Sequence, residues 1–497
     1  MSTRNLDAPP WSVQTEFSST DESQAFSVYN PATGAELARV AGGGRKEADA
    51  AVKRAHEAFL EWRYVPVQER CKALLRVADL VEAHADEIAQ LETMEMGKPF
   101  RQSRELDLEF CIGAFRFFGG LADKLPSEYI AHDPISVYTL REPYGVIGGV
   151  LPFNWPPIHT AGKSAPALAT GNTVVIKPPL QAPLAIMRIV ELMQEILPPG
   201  AIEVVPGGVD AGAAIAANPL VGKLSFTGST PAGRAVLKTA ADNLTPALLE
   251  LGGKNALIVF DDADLDLALR GAIEGAFFNQ GEACTAASRI LLADEIYDEF
   301  AERFAAATER MIVGDGMDRE THVGPLVTRE HQERVQEYLR IGAEEGAKVL
   351  GRASVPRDPR LKDGYWVAPT VFGGVDRSMR IAREEIFGPV TALMRFSSYE
   401  EAIEIANDTE FGLVAGVYSR DFAKTQRTVR DLAVGVVMVN NYNRAFLGTP
   451  FGGTKGTGYG REHAVETLRE FTRTKAVRMT SGLSEIPIWH GAEEVLG

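Results

Sequence analysis

Apolar side chains recur at the spacing of an α-helix through the first part of the chain, to about residue 125. Within residues 45–63 the apolar positions share one predicted helix face, and they are Val52, Ala55, Phe59 and Trp62. A second stretch, residues 65–96, continues the pattern and stops at Gly97-Lys98-Pro99, because glycine and proline both end helices. We therefore predict that the N-terminal region is helical.

From Tyr144 onwards the pattern changes to short apolar runs, many of them β-branched, that alternate with helical stretches. The candidate strands are residues 146–151, 173–176, 202–205, 223–226 and 256–260. The candidate helices between them are residues 183–197, 211–217 and 231–241. Strands separated by helices predict right-handed crossovers and a mostly parallel sheet.

A second alternating stretch follows Cys284 and continues to about residue 440. It contains candidate strands at 289–292 and 414–418, and a helix whose apolar face is Tyr297, Phe300, Phe304 and Met311. We find no internal repeat and no low-complexity tract. The chain is thus predicted to be an α/β protein with two α/β domains in series.

Composition and charge narrow the possible partners. A chain of 497 residues is too long for one compact core, so two or three domains are expected. Its net charge of −16 disfavours nucleic acid and anionic membrane as partners. Residues 1–11 lack an apolar signal-peptide core, and no run approaches the ~20 apolar residues of a membrane span. We therefore expect a cytoplasmic protein.

Three cysteines occur, and this sparse, odd number indicates a reducing compartment without a disulfide framework. Cys71 and Cys111 lie among apolar helical residues and are interpreted as packing residues. Cys284 lies among small and polar residues at 281–288, which is not typical of a core helix. The eight histidines are scattered and no Cys-x-x-Cys pair occurs, so no metal site is predicted.

A turn after one candidate strand has the features of a phosphate-binding site. In Phe226-Thr227-Gly228-Ser229-Thr230-Pro231, a serine or threonine can cap the next helix and Pro231 suits its first position. The helix N-terminus then offers backbone amides to a phosphate. Lys177, at the end of another strand, is placed to bond ribose hydroxyls or a phosphate. The alternatives are an ordinary strand-to-helix turn and a solvated loop lysine.

Motifs along the chain resemble, in order, those of the aldehyde dehydrogenase superfamily. They are Leu151-Pro152-Phe153-Asn154-Trp155-Pro156, Lys177-Pro178, Phe226-Thr227-Gly228-Ser229, Glu250-Leu251-Gly252-Gly253-Lys254, Gly281-Glu282-Ala283-Cys284, Glu384-Glu385-Ile386-Phe387-Gly388-Pro389 and Pro450-Phe451-Gly452-Gly453-Thr454-Lys455. The resemblance extends from about residue 27 to 480. It implies non-phosphorylating, hydrolytic oxidation of an aldehyde with NAD or NADP.

The resemblance also implies a division of the chain. Residues 1–123 and 144–252 would form a Rossmann-like parallel-sheet cofactor domain, and residues 253–456 an α/β catalytic domain. Residues 124–143, with the C-terminal segment 457–497, would form a small β element that joins subunits into a homodimer or homotetramer. An unpaired strand edge there needs a covering chain, and the alternative is a hairpin packed on its own subunit.

Catalytic roles follow from the resemblance and from the chemistry of the residues. Cys284 would attack the aldehyde, and the side-chain amide of Asn154 with the Cys284 N–H would hold the oxyanion. Glu250 is the expected base for thiol or water, and its presence disfavours transfer of the acyl group to coenzyme A. Lys163 and Glu462 match positions associated with proton relay. Alternatively, Lys163 is a surface lysine, or the chain is a non-catalytic relative.

The predicted cofactor contacts are Phe153, Lys177, Leu180, Gly228, Ser229, Gly233, Leu251, Glu385 and Phe387. Many NAD-using relatives carry a glutamate where this chain has Leu180, so we expect tolerance of NADP or dual use. The alternatives are that other groups confer NAD specificity, and that Glu385 only caps a helix.

The resemblance implies a substrate tunnel lined by His159, Gly162, Phe278, Asn443, Ala445 and Phe451. Gly162 and Ala445 replace bulkier residues common in relatives that oxidise small aliphatic aldehydes, which favours an aromatic or otherwise bulky substrate. Arg444 leaves open an anionic semialdehyde as the alternative, and Arg444 is otherwise structural.

Overall fold

The N-terminal region begins with a hairpin and continues as helices. The computed structural model describes residues 25–442, 446–486 and 490–497. The elements of this region are β1 (Phe26–Tyr29), β2 (Glu36–Val40), α1 (Arg45–Trp62), α2 (Val67–Ala83), α3 (Ala85–Met96), α4 (Phe100–Gln102), α5 (Leu108–Leu121), β3 (Tyr129–Ile130) and β4 (Ile135–Pro143).

Two details differ from the predicted helical region. Strands β1 and β2 pair antiparallel, and they are too short for their alternation to stand out in the sequence. The stretch predicted from 65 to 96 is two helices separated at His84. Its predicted end is confirmed, since Gly97 takes a left-handed φ of 92° directly after α3.

The next segment alternates strands and helices as predicted. Its elements are β5 (Val146–Val150), α6 (Pro156–Ala169), β6 (Thr173–Lys177), α7 (Leu184–Gln194), β7 (Ile202–Val204), α8 (Val209–Ala217), β8 (Val221–Thr227), α9 (Thr230–Ala241) and β9 (Ala247–Glu250). The five strands pair in parallel in the order β7-β6-β5-β8-β9. The helices of this segment and of the N-terminal region pack on the sheet.

The following segment forms a second sheet. Its elements are β10 (Ala256–Val259), α10 (Leu265–Phe277), β11 (Arg289–Ala293), α11 (Tyr297–Glu309), α12 (Arg329–Glu344), β12 (Lys348–Arg352), β13 (Thr370–Gly373), α13 (Arg380–Arg383), β14 (Val390–Phe396), α14 (Tyr399–Asn407), β15 (Val414–Tyr418), α15 (Phe422–Asp431) and β16 (Val436–Val439). The order is β12-β13-β14-β11-β10-β15-β16, and only the β12–β13 pairing is antiparallel.

The C-terminal elements return to earlier parts of the molecule. They are β17 (Gly458–Tyr459), α16 (Val465–Glu470), β18 (Thr472–Thr480) and α17 (His490–Leu496). Strand β17 adds an antiparallel edge to the first sheet beside β9. Strand β18 pairs antiparallel with β4 from Thr472 opposite Pro143 to Thr480 opposite Ile135, and β3 completes this three-stranded sheet.

The predicted α/β class with parallel sheets is confirmed. In the first sheet, parallel strands end at one edge, and this edge carries Lys177, Thr227 and Glu250 as the last residues of β6, β8 and β9. Ligands of open α/β sheets bind at this edge. Among the described residues, no helix has both the length and the apolar character needed to cross a membrane. The domain boundaries stay a prediction.

Candidate active site

A tight turn after α10 carries Cys284. Asn279, Gln280 and Gly281 have φ values of 52°, 56° and 69° in this turn. A Cβ atom at Gly281 would lie 2.2 Å from the Gly388 carbonyl oxygen, so glycine is required there. The carbonyl oxygen of Cys284 accepts a hydrogen bond of 2.7 Å from Asn255 Nδ2, which fixes the chain just behind the thiol.

The thiol of Cys284 is held in its neutral form. Burial raises its pKa, and the neighbouring carboxylates of Glu250, Glu385 and Glu462 raise it further. Cys71 and Cys111 are buried, as expected of packing residues, whereas Cys284 is partly exposed. Cys284 therefore needs a base at the moment of reaction.

A cleft of about 540 Å³ opens in front of Cys284. The residues predicted for the site that line it are Phe153, Asn154, Gly228, Ser229, Leu251, Cys284, Glu385 and Phe387. Contributions that the sequence reasoning missed include His331, Arg334, Tyr338 and Arg234. His331, Arg334 and Tyr338 lie in the range 329–344, whose helical pattern carries no chemical motif. Arg234 follows the predicted contact Gly233 at the end of the phosphate-turn segment, but no role was predicted for it.

The phosphate turn has the predicted helix start. Ser229 caps α9 by accepting a 3.4 Å hydrogen bond from the Ala232 N–H. A Cβ atom at Gly233 would lie 2.6 Å from Leu251, so glycine lets the helix approach the strand end. The hydroxyl of Thr227 is buried without a partner in the described structure. A free helix N-terminus beside an unpaired hydroxyl suits a nucleotide phosphate.

The loop after α13 closes the other side of the cleft. Glu385 Oε1 accepts a 2.9 Å hydrogen bond from the Gly253 N–H. Its second oxygen leaves no room for a Cβ atom at Gly252, which would lie 2.4 Å away. The carboxylate of Glu385 therefore spans the glycine pair and faces the cleft instead of capping a helix.

Phe387 occupies an unusual backbone conformation for an aromatic residue, with φ of 61°. Its ring packs edge-to-face on Phe153 at 5.8 Å and on His331 at 6.0 Å. His331 Nε2 also lies 2.6 Å from the Phe387 carbonyl oxygen. Strain of this kind is often found where a ligand is clamped.

Lys177 and Leu180 lie outside the lining of this cleft. Lys177 Nζ donates a 3.0 Å hydrogen bond to the Gly207 carbonyl, and burial lowers its pKa to about 8. The solvated-lysine alternative is therefore wrong, because Lys177 is 9% exposed. Leu180 is on the surface, with 38% of its area exposed.

Glu250 is buried at the end of β9, and neither of its carboxylate oxygens has a hydrogen-bond partner. Burial raises its pKa well above the usual value, and Glu462 raises it further. Lys163 is completely buried, which excludes the surface-lysine alternative. Lys163 Nζ lies 2.8 Å from Glu462 Oε1 and 3.0 Å from Ser225 Oγ. These groups form a buried acid–lysine–acid cluster behind the cleft.

Asn154 follows β5 and lines the cleft together with Cys284. Its main-chain oxygen accepts hydrogen bonds of 3.0 Å from Lys98 Nζ and 3.1 Å from Asn279 Nδ2. Its side chain is buried, and Oδ1 has no partner. No described donor therefore holds the side-chain oxygen of Asn154 in place.

Two of the predicted tunnel residues, Phe451 and Gly162, lie against His463, which the sequence reasoning missed. Phe451 stacks on its ring at 5.2 Å, and Phe110 packs edge-on at 4.7 Å. A Cβ atom at Gly162 would lie 3.7 Å from His463 Nε2. Only the adjacent acid Glu462 marks this histidine in the sequence, because His463 belongs to none of the motifs.

His159 lies on α6 beside the same group. It is buried, neither ring nitrogen has a partner, and burial lowers its pKa well below the usual value. Phe278 stacks on Trp155 with ring centres 5.6 Å apart. Asn443, Arg444 and Ala445 lie outside the described residues. No group of three or more potential metal ligands occurs in the described parts of the chain.

The geometry defines a class of enzyme before any comparison. A thiol and a buried amide meet at a cleft whose walls include a helix N-terminus suited to a nucleotide phosphate. The buried, unpaired carboxylate of Glu250 lies near enough to the thiol to raise its pKa. This arrangement is typical of a dehydrogenase that oxidises its substrate while it is bound to a cysteine.

Comparisons with known proteins specify the family. The model of the aldehyde dehydrogenase family matches residues 17–477. An aldehyde dehydrogenase from Didymella fabae is 51% identical over 484 residues, which cover 97% of this chain and 98% of that protein. The chain belongs to the aldehyde dehydrogenase family and is an NAD(P)-dependent aldehyde dehydrogenase.

Solved structures have the same fold. PnpE from Pseudomonas sp. WBC-3, crystallised with nicotinamide adenine dinucleotide, has a TM-score of 0.91 and 41% identity over 93% of this chain and 96% of its own. Betaine aldehyde dehydrogenase from Staphylococcus aureus, crystallised with NAD+, has a TM-score of 0.90 and 35% identity over 93% of this chain and 92% of its own.

Proposed function

We propose that this enzyme oxidises a bulky or aromatic aldehyde to the free carboxylic acid through a thioester on Cys284. The observation that carries the proposal is the unpaired, buried carboxylate of Glu250, which contributes to the raised pKa of the Cys284 thiol. A buried base close to the nucleophile suits hydrolysis, because a water molecule must lose a proton there.

The first half-reaction uses Cys284, Glu250 and Asn154. The thiol proton passes to Glu250, directly or through water, as the sulfur forms a bond with the aldehyde carbon. The aldehyde oxygen becomes an oxyanion, which the side-chain amide of Asn154 and the N–H of Cys284 hold by hydrogen bonds. The raised pKa of Glu250 makes it a stronger base for this step than an exposed glutamate.

The described residues fit a nicotinamide dinucleotide. The start of α9 and the free Thr227 hydroxyl suit its phosphates, Glu385 a ribose, and Phe387 the nicotinamide. When bound, NAD(P)+ supplies the two-electron acceptor that aldehyde oxidation requires.

The second half-reaction releases the acid. Glu250 first releases the proton it received from the thiol. It then takes a proton from water, the water oxygen bonds to the acyl carbon, and the S–C bond breaks to release the acid and return the Cys284 thiolate. Glu250 therefore has to pass on its proton after each half-reaction. Glu462 and Lys163, joined at 2.8 Å, give that proton a buried route away from the cleft.

Aromatic side chains in the region of the proposed tunnel, together with a glycine in place of a larger residue, favour a large substrate. Phe451 and Phe110 flank His463, and Gly162 presents no side chain to the same ring. His159 offers two unpaired ring nitrogens in the same region. Since burial lowers the pKa of both histidines, they are neutral and suit a polar, uncharged group on the aldehyde.

We further propose that the enzyme tolerates NADP. Leu180 cannot hydrogen-bond the adenosine ribose or repel a 2′-phosphate, and Lys177 on the preceding strand brings an amine to the same region. The cytoplasm remains the expected compartment.

An aldehyde panel tests the proposal. Aromatic and aliphatic aldehydes and anionic semialdehydes are assayed with NAD+ or NADP+, with and without coenzyme A, and the acid product is measured alongside NAD(P)H. Free acid in stoichiometric yield without coenzyme A is expected, with the highest kcat/KM for bulky aromatic aldehydes. Strict dependence on coenzyme A contradicts the hydrolytic mechanism, and preference for semialdehydes supports the Arg444 alternative.

A further inference from the structure

A buried charge holds the main chain of Asn154. Lys98 lies just after α3 and is completely inaccessible to solvent. Its Nζ donates a 3.0 Å hydrogen bond to the Asn154 carbonyl and lies 4.4 Å from the centre of the Trp155 ring. Lys98 thus contacts two consecutive residues of the loop that carries the oxyanion amide, while the mechanism above gives it no role.

Two buried carboxylates keep Lys98 charged. Its Nζ lies 2.8 Å from Glu92 and pairs with Asp107, and Ser103 donates to Glu92 in turn. Burial acts to lower the pKa of Lys98, but the two carboxylates outweigh it and leave the pKa raised. The ammonium group is therefore permanently present beside Asn154.

Asn279 makes a second connection to the same carbonyl. Its Nδ2 donates to the Asn154 oxygen at 3.1 Å and to the Glu282 oxygen at 2.9 Å. The residue is completely buried and has the left-handed φ of 52°, which asparagine tolerates better than most residues. It therefore ties the loop of Asn154 to the segment directly before Cys284.

We propose that Lys98 and Asn279 are positioning residues that hold the Asn154 peptide, so that the Asn154 amide and the Cys284 N–H point at one oxyanion. The inference rests on the roles proposed above for Asn154 and Cys284. An oxyanion site works only if its donors are fixed beforehand, and a misplacement of about 1 Å costs on the order of 10²-fold in rate.

A purely stabilising role explains this cluster less well. The attraction within a buried ion pair is largely offset by the loss of hydration, so such a pair is weak evidence for stability. In addition, the carbonyl oxygen of Asn154 is the only described main-chain atom to which Lys98 donates a hydrogen bond.

The test separates positioning from folding. Without cofactor, the thiol of Cys284 attacks an activated ester such as p-nitrophenyl acetate, which forms the same kind of oxyanion and releases p-nitrophenol without oxidation. The variants are Lys98→Met, Lys98→Arg, Asn279→Ala and Asn154→Ala, together with the double variants Lys98→Met/Asn154→Ala and Asn279→Ala/Asn154→Ala. Lys223→Met is the matched control, because Lys223 is also a buried lysine that pairs with a carboxylate, Glu470, at 2.7 Å.

We expect Lys98→Met and Asn279→Ala each to slow the ester reaction and the NAD(P)H burst about tenfold or more, a substantial part of the ~10²–10³ lost when an oxyanion donor is removed. Lys98→Arg retains more activity than Lys98→Met. Cofactor affinity and alkylation of Cys284 by iodoacetamide, which forms no oxyanion, change less than about twofold. In the Asn154→Ala background neither substitution slows the reaction further.

Additive effects in the double variants, or a loss no larger than that of Lys223→Met, overturn the inference. If Lys98→Met does not fold, the Asn279→Ala cycle decides alone. Unchanged ester hydrolysis in Asn154→Ala itself contradicts the proposed role of Asn154, which is a different failure.

Discussion

At the scale of single residues, burial and hydrogen-bond partners distinguish residues of the same type that the sequence alone does not. Three cysteines are present, but only Cys284 is partly exposed beside a carboxylate. Among the buried acids, Glu250 has both oxygens unpaired, whereas Glu462 is paired with Lys163. Buried groups that lack hydrogen-bond partners are therefore the candidates for a catalytic role.

Replacing the nucleophile tests the covalent mechanism. Cys284→Ala is expected to abolish formation of acid and NAD(P)H while cofactor affinity stays close to that of the parent, since the phosphate turn is untouched. Stopped-flow NAD(P)H absorbance and cofactor titration by fluorescence measure the two effects. Substantial residual turnover contradicts a thioester on Cys284.

Replacing the base separates the two half-reactions. Glu250→Gln is expected to slow thioester hydrolysis more than thioester formation, because water must be activated only in the second half-reaction. The variant should therefore give a burst of NAD(P)H followed by a slow steady phase. The parent's steady rate should rise with pH as Glu250 loses its proton, at a pH above the usual glutamate range because burial raises its pKa. This rise is absent in the variant. A variant without a burst shows that Glu250 acts mainly on the thiol.

Position 180 tests the choice of cofactor. NADP+ should be used at least as well as NAD+, and Leu180→Glu should shift kcat/KM towards NAD+ about tenfold, or ~1.4 kcal/mol. Both constants are measured for both proteins. A strong preference for NAD+ that is unchanged in the variant excludes a role for this exposed position.

At the scale of elements, α6 carries residues proposed for the proton route and for the tunnel. His159, Gly162 and Lys163 lie on it within less than two turns. Lys163 points to Ser225 and Glu462, whereas Gly162 lies against His463. One helix thereby connects the proposed proton route to the proposed aldehyde space, since Glu462 Oε2 lies 4.0 Å from His463 Nε2.

Filling that space should change specificity. Gly162→Trp is expected to lower kcat/KM for aromatic aldehydes at least tenfold relative to acetaldehyde, because a side chain there meets His463. Gly120→Trp is the control, since a Cβ atom at Gly120 meets nothing within 4 Å. Equal effects on both aldehydes contradict a tunnel at Gly162.

Regular alternation made the parallel sheets predictable from the sequence, since long βα repeats give strong local patterns. The hairpin β1–β2 was missed because each strand has only four or five residues. His331 and His463 were missed for a different reason. They reach the site through long-range packing on Phe153, Phe387 and Phe451, which leaves no local signal.

At the scale of the whole molecule, one face of the small β sheet exposes apolar side chains next to polar ones. Tyr138 pairs with Val477, Leu140 with Lys475 and Ser136 with Met479, so these six side chains share a face. Leu140 and Met479 are 41% and 48% exposed. A face of this kind, at a sheet whose β18 edge has no described neighbour on its outer side, suits a subunit interface.

We expect a homodimer or homotetramer. Light scattering at micromolar concentration should give a mass of at least twice the 53.8 kDa chain. Leu140→Lys with Met479→Lys should shift the assembly towards smaller species, whereas Leu244→Lys, at an exposed residue outside this sheet, should not. A monomeric parent protein contradicts the proposed interface.

The return of the C-terminal chain to the first sheet has a consequence for synthesis. Strand β17 pairs Gly458 with Glu250, and Glu462 and His463 follow within five residues. The surroundings of the base can therefore form only after residues 458–463 have been synthesised. A chain that ends before these residues keeps Cys284, Glu250 and Lys163 but lacks Glu462, which helps to raise the pKa of Glu250 and belongs to the proposed proton route. Premature termination would thus yield a protein that has the thiol but not the complete proposed hydrolytic site.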